Sequence, residues 1–103
     1  MTMPIKQSRN PWLASAMDAV GVASDPVFRK RICRILIDRV NDTFARFARP
    51  ADGVHCVDCR GVLRSDAHYQ DDWANELHPT IGGFDKIVDQ RWIPLLRRLG
   101  YAA

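Results

Sequence analysis

Residues 71–84, DDWANELHPTIGGF, decide how this chain is read. His78 stands directly before Pro79, and Thr80 opens what looks like a helix start. A Thr at that position can accept one of the orphan amide hydrogens of the first turn. The ring of Pro79 restricts the backbone on both of its sides, so His78 is expected between rigid flanks. Trp73 and Leu77 supply apolar surface close by. Imidazole is the side chain best matched to proton transfer near neutral pH, which makes His78 a candidate general base. The remaining polar residues of the region, Asp66, His68, Asp71, Asp72 and Glu76, form an acid-rich loop. They lack the i, i+4 spacing of a helical metal-ligand pair, and by composition the loop reads as solvated.

Working outward, Phe84, Ile87, Val88, Trp92, Leu95 and Leu99 recur at intervals of three and four, which predicts a final amphipathic helix. Pro94 falls inside it and is expected to kink or break it. Upstream, residues 60–79 form a long loop without periodicity, and residues 54–59, VHCVDC, read as one short strand ended by Arg60-Gly61. Before that lies the clearest element of the chain. Asp25 can cap a long helix with Pro26 at its first position. Its apolar stripe runs Phe28, Ile32, Ile35, Leu36, Val40, Phe44, Phe47, and it stops ahead of Pro50. A first short helix is expected from Asn10-Pro11, with Trp12, Leu13 and Met17 on one face and Gly21 at its end. Residues 1–10 read as a loose leader and 11–103 as a single partial domain. A lone strand cannot satisfy its own ladder of donors and acceptors, so the chain reads as part of a larger, sheet-containing fold.

Composition sets outer bounds. Of 103 residues 47% are apolar and 26% charged, values ordinary for a globular domain able to build one modest core. No apolar run reaches the length of a membrane span, and the first residues lack the apolar core of a secretory signal. The three cysteines do not suggest a disulfide framework, so a reducing cytoplasm is expected. Cys56-x-x-Cys59 beside His55 raises zinc, but residues three apart on a strand point to opposite faces and a structural site needs four ligands. The cysteines are read as small apolar residues, Cys33 as a packed thiol, and neither metal nor cofactor is expected. Net charge is +3, and Arg29, Lys30, Arg31, Arg34, Arg39, Arg46 and Arg49 all lie on the long helix. Without interleaved aromatics these read as a solvated face, and nucleic-acid binding is disfavoured.

Asn75-Glu76-Leu77-His78-Pro79-Thr80 followed by Gly83-Phe84 resembles the last conserved block of the SGNH (GDSL-type) hydrolases, Asp-x-x-His-Pro with a Gly-Phe pair beyond. Residues 54–63 look like the final strand and loop of that fold. LIDRVN (36–41) and DCRG (58–61) are similar to blocks of a bacterial subgroup. The resemblance covers roughly residues 11–99. It implies the C-terminal portion of a three-layer α/β/α fold, mostly helical here with one strand, and a serine esterase or lipase-type activity with His78 as triad base. The triad-acid position holds Asn75, with Asp72 or Asp71 as a substitute acid if the loop folds back. The family's Gly-Asp-Ser nucleophile block and Gly-x-Asn oxyanion block are absent, and Ser8, Ser15, Ser24 and Ser65 lack that context. The chain is therefore expected to be catalytically silent alone, acting on an ester only if a nucleophile-bearing segment completes it. The alternative is a small helical interaction module that packs on a partner or a second copy.

Overall fold

The computed structural model describes residues 12–101. The expected leader at 1–10, with Ser8, and the start at Asn10-Pro11 lie outside the described residues. Among the described residues there are three helical bodies, and the described part of the chain is mostly helical. Helix α1 spans Trp12–Ala19 and α2 spans Pro26–Phe47. The third body is one continuous rod: α3 (Ile81–Ile87), a π turn (Val88–Trp92) and α4 (Ile93–Arg98).

Local chemistry sets the helix ends. Asp25 Oδ1 accepts the Val27 amide at 2.9 Å with Pro26 in the first turn, and Thr80 Oγ1 accepts the Gly83 amide at 3.0 Å, as the cap signals predict. Pro94 does not break the rod. The backbone widens to a π turn just before it, with the Ile93 amide reaching Val88 O, and resumes as α4. Such a bulge is a known accommodation where regular i→i−4 bonding fails.

The expected strand at 54–59 does not form. Val54 makes an isolated antiparallel bridge with Arg49 (N–H to O distances of 2.8 and 3.1 Å), and residues 55–59 join no ladder. Among the described residues no strand is present, because a strand exists only as a pair and nothing lies alongside this segment.

Burial is concentrated in two small clusters. Val62, Leu63, Tyr69 and Trp73, all from the 60–79 loop, form one against Ile87 of the third rod. Met17 and Cys33, with Leu13, Ala14, Val22 and Ile32 around them, join α1 to α2. Arg29 stitches the second. It is 2% exposed, against the expectation of a solvated basic face, and donates to Ala23 O (2.8 Å), Ala14 O (3.2 Å), Val22 O (2.7 Å) and Asp18 Oδ1. The Val22 and Ala23 carbonyls of the segment after α1 need donors, and a guanidinium supplies several from one rigid fork.

The apolar stripe of α2 is mostly uncovered: Ile35 and Phe44 are each 60% exposed and Phe47 66%. Phe84, Val88 and Trp92 on the third rod are exposed as well. The radius of gyration, 15.8 Å, exceeds the roughly 13 Å of a compact domain this long, consistent with a slab whose apolar faces stay open. No helix among the described residues is long and apolar enough to cross a membrane.

Candidate functional site

The loop before α3 is organised around its acids. Asp72 is 0% exposed; its Oδ2 accepts the Arg64 amide at 2.8 Å, its Oδ1 meets Lys86 Nζ on α3, and its carbonyl accepts the Thr80 amide at 2.8 Å. The Trp73 indole donates to Arg64 O at 2.9 Å, and Trp73 and Pro79 form an isolated bridge. Thr80 Oγ1, besides capping α3, donates to Asp71 O at 2.8 Å. These bonds close residues 72–80 into a turn standing on the helix N-terminus.

Gly83 lets the turn and helix come this close. A Cβ on Gly83 would sit deep inside contact distance of Asp72 O and 3.0 Å from Pro79 Cβ. The glycine of the Gly-Phe pair thus has a steric reason to be there.

Asn75 and His78 meet at the exposed end of the turn. Asn75 Oδ1 accepts the Leu77 amide and the His78 amide at 2.9 Å each, and His78 Nδ1 lies 2.9 Å from the same oxygen. His78 O in return accepts the Ala74 amide at 2.9 Å. Two backbone donors fix which end of the amide is oxygen, so the ring nitrogen facing it must carry the proton. In the neutral ring this tautomer leaves the lone pair on Nε2, the form a general base requires. The carboxylate of Asp72 is engaged by Arg64 and Lys86, not by the His78 ring. Among the described residues no serine hydroxyl bonds to that ring; Ser65 instead offers its carbonyl to Lys30 Nζ at 3.1 Å.

The 36–41 and 58–61 blocks are brought together. Arg60 bonds Asp38 at 2.8 Å and both oxygens of Asp58, at 2.7–3.1 Å. This fork holds the Asp58 carboxyl down to about 2. The acid-rich loop does not converge: among the described residues no three His, Cys, Asp or Glu side chains are grouped to hold an ion. Cys56 is exposed and Cys59 half-buried in the irregular 55–59 segment.

Sequence reasoning missed one residue of consequence. Glu76, placed with the solvated acids, is 2% exposed, and its Oε2 accepts the Leu13 amide of α1 at 2.6 Å. The only sequence signal was its place between Trp73 and Leu77, two apolar residues within reach of the core. Comparison with protein-family models, with curated proteins and with solved structures gave no match in any of the three.

Proposed function

We propose that this chain is the histidine-bearing C-terminal part of an SGNH-type α/β serine hydrolase, with His78 as general base for ester hydrolysis. The observation that supports this most is the Asn75 amide oxygen, fixed by two backbone amides and holding His78 Nδ1, which in the neutral ring puts the lone pair on Nε2. In that role Nε2 takes the proton of a serine hydroxyl and returns one to the leaving alkoxide. Asn75 orients the ring as the family's acid does, but an amide cannot stabilise the imidazolium that forms. The nucleophile and the oxyanion donors come from another segment, whose sheet would cover the open apolar faces of α2 and the third rod.

The chain alone is then expected to hydrolyse p-nitrophenyl acetate no faster than free imidazole and to take no label from a serine-directed phosphonate. Turnover abolished by His78→Ala, with one serine labelled, would overturn this.

A second reading is favoured by the exposed stripe Ile35, Leu36, Val40, Phe44 and Phe47: a helical interaction module without chemistry. Light scattering on the eluting protein separates the two. A defined dimer with the stripe buried, lost in Phe44→Glu, supports the module; a monomer argues against it.

A further inference from the structure

Between α2 and the start of the 60–79 loop lies a groove of about 470 Å³. Two hydrogen bonds pin the loop to the helix and mark the ends of the groove: Arg60 to Asp38 at 2.8 Å, and Lys30 Nζ to Ser65 O at 3.1 Å. Positions 30 and 38 stand about 12 Å apart along the helix axis. Arg31 and Arg34 line the stretch between them, in one row with Val27 and Asp38 and apart from the apolar stripe. Both arginines are exposed, and among the described residues neither guanidinium makes an ion pair or a hydrogen bond. A guanidinium does not lose its proton in a protein, so two permanent charges stand here unanswered. Three residues apart on a helix, they are neighbours and repel. The ends of the groove are of opposite sign. Lys30 stands at one, and two carboxylates, Asp38 and Asp58, share the single Arg60 fork at the other. The balance at the centre is therefore set by the two arginines.

We propose that this groove binds a small organic phosphomonoester, its phosphate bridging the Arg31 and Arg34 guanidiniums and its organic group against Val27 and Leu63. Three features select this ligand. Two unpartnered permanent charges match a dianion, the form a phosphomonoester approaches at neutral pH. The planar guanidinium fork meets phosphate oxygens two at a time. The volume falls within the ~300–1,000 Å³ of small-molecule sites, so an organic body fits beside the phosphate, with Val27 and Leu63 in the lining to receive it. The assignment is independent of the hydrolase reading, since His78 does not line the groove.

The test is a titration of the full chain with phenyl phosphate at about pH 7.5, above its second pKa of about 6, followed by the Gly61 amide and arginine Nε–H resonances. Phenyl sulfate, of the same shape with one charge fewer, serves as comparator. Saturable shifts are expected at low-millimolar ligand or below, weakened about tenfold in Arg31→Gln or Arg34→Gln and about threefold or more for the sulfate. Neither arginine side chain holds another part of the described chain, so both variants are expected to fold. Arg46→Gln, in the last turn of the same helix and outside the groove, removes the same net charge and is expected to bind as wild type. Absence of saturable shifts up to ~10 mM sinks the proposal. So does equal binding by wild type and the two groove variants, equal binding of the sulfate, or a loss in Arg46→Gln as large as in Arg34→Gln. Tighter binding of oligothymidylate, compared per phosphate, would overturn it in favour of nucleic acid.

Discussion

Alanine at Gly83 is expected to destabilise the chain by about 2 kcal/mol, while alanine at the adjacent Gly82 stabilises it by about 0.5–1 kcal/mol. Both positions lie in the first turn of α3, and in both a glycine-to-alanine change gains helix propensity of up to ~1 kcal/mol. The surroundings decide the sign. At Gly82 the new methyl meets only Thr80 Oγ1 at 3.9 Å, ordinary contact. At Gly83 it collides with the Asp72 carbonyl and crowds Pro79 Cβ. The carbonyl is backbone and already accepts the Thr80 amide, so it cannot turn away without opening the turn. Overpacking costs about 1–3 kcal/mol, and more where the neighbour is rigid, which outweighs the propensity gain. Thermal melts of the two variants read this directly: the midpoints should move in opposite directions. Equal shifts would mean that the helix does not press on the turn.

The second large effect is expected at Asp72. Asp72→Asn keeps the shape but offers one acceptor where two donors, the Arg64 amide and Lys86 Nζ, now converge. Loss of a charge-assisted buried bond, with an amide NH₂ turned toward a donor, costs about 2–3 kcal/mol. The 3–5 kcal/mol of a fully buried pair does not apply, because the Lys86 side chain is 41% exposed and water can take up part of the loss. The hydrogen bond from Lys86 holds the Asp72 carboxyl below its ordinary range, against the opposing effect of burial. A carboxyl lowered in the folded state contributes its stability in full above the unfolded value of about 3.9. That contribution is lost as pH falls through the lowered folded value. Wild type and Asp72→Asn should therefore differ most near neutrality and converge below about pH 4 in urea melts. A gap that persists undiminished at pH 3 would assign the loss to packing instead.

Features decided by neighbours in sequence were legible beforehand. The Asp25 and Thr80 caps and the length of α2 depend on residues a few positions apart, and all are present. Features decided by distant partners were not. VHCVDC has strand composition, but strand is a property of pairs, and among the described residues only Arg49 pairs with it, at Val54. Glu76 and Arg29 are of charged types, which argues for solvent, and both are buried because the first turn of α1 presents the Leu13 amide and the turn after α1 presents the Val22 and Ala23 carbonyls. The α2 stripe was legible as apolar but not as uncovered, since periodicity marks a face and says nothing of what lies on it. At the site, the family resemblance alone pointed to residue 75 as the one orienting His78, and the two side chains meet. The engagement of Asp72 by Lys86 depended on where α3 would dock.

The Glu76–Leu13 bond spans 63 residues of sequence. Closing a loop of that length carries an entropy loss that local turns and helices do not, so contacts of this separation form late in folding. The Asn75–His78 knot is local and can form early, yet the acid between them finds its partner only when α1 arrives. The turn that aims the imidazole is thus tied at one point to the other end of the chain, and that one bond waits on the docking of α1.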